Sequence, residues 1–287
     1  MNALDTFVDQ AWSDHAEQPT AVAGRLADGI ALVADDDGVM RLAMLAHHVL
    51  GEHLGRWHDG LAFLAALDAR GVHGSDGAAS LARCQASLRL CGDLADERTA
   101  MSVSDQCRVT VMAACNLAAI DTRRAMKLLE DAVAQASTLP DESAGVRSLA
   151  ANSNGIAGTL SEVVPLGLPQ RELMIRAAQV ARTHWQRAGT WREVERAEYR
   201  LAVCWLAAGD PKRAAQHAEL CDSIVRENGS EPLELFFAAE ALALSARALA
   251  DKHGHTTALL TAQTAFAALS SDDRVWCQTT LEKLAAS

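Results

Sequence analysis

The sequence predicts an all-α fold, and three observations carry this prediction. Apolar residues recur at helical spacing along nearly all of the 287 residues, and runs of alternating β-branched and aromatic residues are absent. Alanine dominates an apolar fraction of 49%, whereas aromatic residues make up 4%, and this mixture favours helices over sheets. Turn signals interrupt the pattern at short intervals. We therefore expect helices of about 14 to 20 residues whose sequence neighbours are antiparallel.

Two turn signals predict where helices begin. Asp210 is followed by Pro211, which combines a helix-capping carboxylate with a proline in the first turn. The stretch "GSEP", positions 229–232, likewise places polar residues directly before a proline, Pro232. We therefore expect one helix to start after Asp210 and another near Pro232.

Small residues recur at matching positions after three of the turns. Five residues after the turn position come Gly60, Ala125 or Ala214, and further apolar or small residues follow at spacings of four and three. Only a small side chain allows two helix backbones to approach closely at such a position. The pattern predicts a repeating unit of two helices around a tight turn. The segments that share it are GRWHDGLAFLAAL from 55, IDTRRAMKLLEDA from 120 and GDPKRAAQHAELC from 209.

The segment RLAVCWLAAGDPKRAAQHAEL, 200–220, resembles the tetratricopeptide repeat. The matching residues are Leu201, Ala202, Trp205, Gly209, Asp210 and Ala214, whereas His47 and His48 replace the usual apolar and small pair in an earlier segment. The resemblance implies an all-α, right-handed α-solenoid of about six antiparallel helix pairs with terminal capping helices. It implies a single domain over 1–287, with cap helices in 1–36, pairs in 37–270 and a cap helix in 271–287. An irregular helical bundle with chance spacing is the alternative.

Charge and cysteine content limit the classes of partner and compartment. The net charge is -11 and basic residues are interleaved with acidic ones, so we expect no nucleic-acid partner and no membrane partner. No stretch of 18 apolar residues and no secretory signal is visible. The sequence has seven cysteines, which is an odd number, and no CxxC motif. This predicts buried thiols in a reducing cytoplasm. The bias of arginine over lysine and the richness in alanine suggest a genome rich in G and C, and we expect the chain to act in a bacterial or other cytoplasm.

The stretch AHHVLGEH, 46–53, is the histidine-rich candidate for chemistry. His48 and Glu52 are four residues apart, a spacing that can hold a metal on one helix face. The HExxH order is absent and no matching ligand pair is visible, so we expect a packed or exposed histidine group and no metal or other cofactor. Motifs for phosphate binding or nucleophilic catalysis are also absent. The sequence therefore predicts no enzyme and no catalytic residues.

The resemblance directs attention to a concave groove. In tetratricopeptide proteins the first helix of each pair lines this groove with the face opposite its packing stripe. In the N-terminal repeat that face carries the apolar residues Leu42, Leu45 and Val49. The C-terminal repeats carry polar side chains there, and amides in "AANSNG", 150–155, can hydrogen-bond a peptide backbone. The predicted groove residues are Arg196, Tyr199, Glu240, Arg247, Asn152 and Asn154.

These observations predict a non-catalytic scaffold that binds another protein or an extended peptide in the groove. Similar helical repeats also accompany output domains, so a regulatory or sensory module of a bacterial signalling or transcriptional system is an alternative. A third possibility is a self-associating structural scaffold, a homodimer for example, whose groove is filled by its neighbour.

Overall fold

The computed structural model describes residues 2–94 and 98–286, and within these ranges it contains helices and no strand. The all-α prediction is confirmed. The outer ends of the predicted caps, positions 1 and 287, lie outside the described residues. The helices are α1 (Ala3–Asp14), α2 (Pro19–Ile30), α3 (Asp36–Ala46), a π-helix (His47–His53), α4 (Trp57–Asp68), α5 (Ser75–Cys91), a 3-10 helix (Arg98–Ala100), α6 (Val103–Leu117), α7 (Thr122–Ala136), α8 (Ala144–Ser161), α9 (Leu168–Ala188), α10 (Trp191–Ala207), α11 (Pro211–Glu227), α12 (Pro232–Ala248), α13 (Lys252–Ala267) and α14 (Ser271–Ala285).

Both predicted helix starts are found. The Asp210 side chain accepts a hydrogen bond of 3.1 Å from the backbone N–H of Arg213, and Pro211 opens α11. Gly209 has a φ of 79°, a backbone conformation that glycine adopts without strain. Pro232 opens α12, although the preceding Glu231 makes no side-chain capping bond.

The chain divides into two compact units, Met1–Leu139 and Pro140–Ser287. The prediction of a single domain over 1–287 stays a prediction. In the first unit α3 is central, because α1, α2, α4, α5 and the π-helix all pack against it. Leu42, Leu45 and Val49 are consequently fully buried. The resemblance implies that these three residues face an open groove. They are buried instead, so this expectation was wrong.

In the second unit the helices pack as successive pairs. α8 packs against α9, α10 against α11, and α12 against α13. The first helices of these pairs also contact one another in order, from α8 to α10, from α10 to α12, and from α12 to α14. Contacts between the first helices of successive pairs are expected for a repeating two-helix unit.

Gly60 on α4 lies where helices approach closely. A Cβ atom at this position would come within 2.6 Å of Leu88 Cδ1 on α5 and 3.6 Å of Leu50 Cβ on the π-helix. The tighter approach is therefore to the following helix rather than to the preceding one of the predicted pair. Ala125 and Ala214 are fully buried at the equivalent positions.

The seven cysteines are all buried thiols that form no disulfide, as the sequence predicts. Within residues 2–94 and 98–286, no helix combines the length and the apolar character needed to cross a bilayer.

Candidate functional site

A pocket of about 540 Å³ lies in the second unit. Its walls come from α8, α10, α12 and α14, which are the helices that contact one another in series. More of its surface is apolar than polar. The lining residues are Asn154, Glu195, Arg196, Tyr199, Arg200, Leu233, Glu234, Phe237 and Trp276.

Four of the six predicted groove residues lie at or beside this pocket. Asn154, Arg196 and Tyr199 line it. Glu240 is joined to it through Tyr199, whose hydroxyl donates a 2.9 Å hydrogen bond to Glu240 Oε2. Burial raises the pKa of the Glu240 carboxyl. The structure therefore brings together groups from three helices that the sequence places 41 to 86 positions apart, as Asn154, Tyr199 and Glu240 show.

Asn152 and Arg247 are not among the residues that line this pocket. The Asn152 amide donates a 2.8 Å hydrogen bond to the Ser148 carbonyl on its own helix, α8. Arg247 stands in the last turn of α12 and lines a separate depression of about 420 Å³ with Asp251 and His255.

Two buried carboxyl groups in the pocket, Glu195 and Glu234, were not predicted. The Arg196 guanidinium donates two hydrogen bonds to Glu234, one of them from Nε to Oε2 at 3.2 Å. Both charge signs are interleaved in the stretch "WREVERAEYR", 191–200, and this pattern does not reveal that the helix buries Glu195 and Glu198. Ala197 and Leu201, which are four residues apart in the same helix, were the available signal in the sequence that this part of the helix is buried.

Glu195 is fully buried, and its Oε1 accepts a 2.9 Å hydrogen bond from the Cys221 thiol. Burial raises the pKa of Glu195 to about 8, and the negative charge of Glu234 raises it further than burial alone would. The carboxyl group is therefore protonated at neutral pH. Burial also raises the pKa of the Cys221 thiol, so this sulfur is not a nucleophile.

Three polar atoms of the residues that line the pocket lack a protein partner, and one of them is Oε2 of Glu195. Asn154 Oδ1 and Arg200 Nε are buried and make no hydrogen bond with the described residues. Within the same ranges, no carboxylate forms a salt bridge with Arg200, in contrast to Arg196. A ligand that supplies a donor to Asn154 and an acceptor to Arg200 would satisfy both groups.

Apolar and aromatic side chains also line the pocket. Leu233 and Phe237 come from α12, and Trp276 from α14 remains 64% exposed. The rings of Phe237 and Trp276 are 5.1 Å apart, and those of Tyr199 and Phe237 are 5.7 Å apart. Aromatic surfaces of this kind bury a large apolar area at low entropic cost when a partner covers them.

The pocket combines apolar side chains with amide and guanidinium groups, the protonated carboxyl group of Glu195 and the carboxylate of Glu234, which is paired with Arg196. No group of three metal-ligating side chains from the described residues lies in it.

Comparisons of the chain with known protein families, with curated proteins and with solved structures found no significant match. The resemblance to tetratricopeptide repeats therefore rests on the residues quoted for it.

Proposed function

We propose that the chain is a non-catalytic scaffold that binds an extended segment of another protein, and that the pocket between α8, α10, α12 and α14 holds an anchor residue of that segment. One observation carries the proposal: the pocket is lined by the first helices of successive pairs, together with α14. That is the surface that the tetratricopeptide resemblance assigns to ligand binding.

The lining residues define the chemistry of the ligand. A large apolar or aromatic side chain packs against Leu233, Phe237 and Trp276, where it removes the exposed indole from water. A main-chain N–H of the ligand donates to Asn154 Oδ1, and a carbonyl or carboxylate oxygen accepts from Arg200. A volume of about 540 Å³ accommodates one such side chain with its flanking backbone.

The pair packing within the second unit supports the finer architecture of the proposal. Successive pairs stack as in a right-handed tetratricopeptide solenoid, and the chain acts in the cytoplasm, where its buried thiols stay reduced.

A selection from a display library of random peptides tests the proposal. The best peptide is synthesised with a fluorophore, and its dissociation constant is measured by anisotropy against the wild type and two variants. Trp276→Ala and Arg200→Gln should each weaken binding by about tenfold or more, because each removes one recognition element.

Two matched variants control for general effects on the second unit. Val275→Ala removes a neighbouring, 81% exposed apolar side chain, and Arg213→Gln removes an exposed arginine on α11. Neither residue lines the pocket, so both variants should bind as the wild type does. Equal affinity of all five proteins, or failure to select any peptide, would contradict the proposal. A dimer in solution that Trp276→Ala dissociates would favour self-association instead.

A further inference from the structure

Three histidine side chains converge in the first unit. His15 follows the last turn of α1, and His48 and His53 belong to the π-helix. One potential ligand nitrogen from each ring lies within 4.8 Å of the other two. The ring centroids are 4.6 Å apart for His48 and His53, 5.0 Å for His15 and His48, and 5.1 Å for His15 and His53.

The π-helix explains why His48 and His53 meet. In an α-helix, residues five apart point in clearly different directions. A π-helix has a wider turn that closes i to i+5 hydrogen bonds, so residues five apart point in more similar directions than they do in an α-helix. His48 Nε2 and His53 Nε2 are 3.0 Å apart and share a hydrogen bond, whose proton a bound metal ion would replace. Single π-helical turns within α-helices occur frequently at functional sites.

Hydrogen bonds to the opposite nitrogens orient two of the rings. His15 Nδ1 donates to the Trp12 carbonyl at 2.5 Å, and His48 Nδ1 donates to Glu52 Oε2 at 2.8 Å. Both partners are acceptors, so the proton of each neutral ring is on Nδ1 and the lone pair is on Nε2. Metal-bound histidines are typically held in this way by a carboxylate or a backbone carbonyl.

We propose that His15, His48 and His53 bind one first-row divalent metal ion, with Zn²⁺ as the preferred ion and Glu52 as a positioning residue for His48. Three imidazoles suit Zn²⁺, and a tetrahedral ion with Zn–N bonds of 2.0–2.1 Å separates its ligand nitrogens by about 3.3 Å. The His48–His53 separation of 3.0 Å is close to this value. The three nitrogens lie within 4.8 Å of one another, so coordination of one ion requires side-chain rotations of His15 and the exposed His53.

The fourth coordination position is open. Glu52 is engaged with His48 Nδ1, and no other histidine, cysteine or carboxylate of the described residues joins the three-histidine group. A water molecule or an exogenous ligand completes the tetrahedron. Three protein ligands and one open position distinguish this site from a closed structural zinc site, which uses four protein ligands.

Trp12 forms one side of the histidine group. Its ring lies 5.0 Å from that of His15 and 5.1 Å from that of His48. An aromatic cluster without a metal is therefore the competing explanation, and the experiment must separate the two.

The full chain without a polyhistidine tag is stripped with a chelator and titrated with Zn²⁺ by calorimetry. We expect one ion per chain, with a dissociation constant at or below about 1 µM. His15→Ala, His48→Ala and His53→Ala should each weaken binding by about 100-fold or more, because two imidazoles remain. Glu52→Gln should weaken it by about tenfold, as removal of a carboxylate behind a ligating histidine does.

His73→Ala is the matched control. His73 is in the same unit and its Nε2 also bonds a carboxylate, Asp68, at 2.7 Å, but it belongs to no three-ligand group of described residues. This variant should bind Zn²⁺ as the wild type does. Where an alanine variant does not fold by circular dichroism, the corresponding His→Gln variant replaces it.

Co²⁺ provides a second readout, since its visible spectrum distinguishes tetrahedral from octahedral coordination. An intense, tetrahedral-type spectrum that His15→Ala abolishes supports the site. Absence of stoichiometric Zn²⁺ binding, or equal affinity of the wild type and His15→Ala, overturns the proposal in favour of an aromatic cluster.

Discussion

Tyr199 on α10 donates its hydroxyl to Glu240 on α12 across 2.9 Å, and so joins the first helices of two successive pairs at the edge of the pocket. Both side chains are half-buried. A hydrogen bond to a carboxylate in such a place contributes more to stability than one on an open surface.

Tyr199→Phe should lower the free energy of unfolding by about 1–2 kcal/mol, because the Glu240 carboxylate loses its donor while the ring packing is kept. Urea unfolding followed by circular dichroism measures this change. Glu240→Gln is the matched variant, since its amide oxygen still accepts from Tyr199, and it should lose less stability. An unaltered midpoint for Tyr199→Phe would show that this contact does not hold α10 to α12.

Glu195 should make stability depend on pH. Its pKa in the folded chain is about 8, above the ordinary value of 4.5, so the folded state keeps a proton that the unfolded chain releases. Its contribution is therefore fully present below the ordinary pKa and decreases as the pH rises towards about 8. Relative to Glu195→Gln, which does not titrate, the wild type should lose up to about 1.4 kcal/mol per pH unit in this range.

Urea unfolding of the wild type and Glu195→Gln between about pH 5 and about pH 8 tests this dependence. The exposed Glu219→Gln on α11 serves as the surface control. A constant difference between wild type and Glu195→Gln over the whole range would mean that the folded chain holds Glu195 ionised.

Gly60→Ala and Gly24→Ala should have opposite effects. At Gly60 the new methyl group would come within 2.6 Å of the buried Leu88 side chain, and overpacking of this kind lowers stability by about 1–3 kcal/mol. At Gly24 on α2 nothing lies within 4 Å of the new methyl group, so alanine should raise stability by up to about 1 kcal/mol through helix propensity. Thermal unfolding compares the two variants, and a stabilised Gly60→Ala would contradict the close approach of α4 and α5.

The helical class and several helix starts could be predicted because they depend on local physics. Asp210 caps its helix and Pro211 opens it through contacts within one turn of the chain. The sequence could predict that Tyr199 and Glu240 lie on the same surface, because the repeat pattern places both on the first helices of successive pairs.

What could not be predicted depends on contacts between distant segments or on departures from the 3.6-residue period. His15 joins His48 and His53 from 33 positions upstream, and the π-helix changes which residues share a face. The spacing of residues within α3 and the π-helix does not reveal that Leu42, Leu45 and Val49 are buried. They are interior because helices from other parts of the first unit, among them α1, α2 and α5, pack against α3. The neutral state of Glu195 could not be predicted for a similar reason, because it depends on burial beside Glu234, which belongs to the next helix pair.

The buried thiols make the cysteines reporters of local opening. Burial raises the pKa of Cys84, Cys91 and Cys204 to about 12, so at neutral pH these sulfurs are neither ionised nor accessible to an alkylating reagent. Cys84 and Cys91 belong to the first unit and Cys204 to the second. The rate at which each peptide acquires a mass label therefore measures how often its own part of the chain opens, and the native protein needs no engineered probe for this measurement.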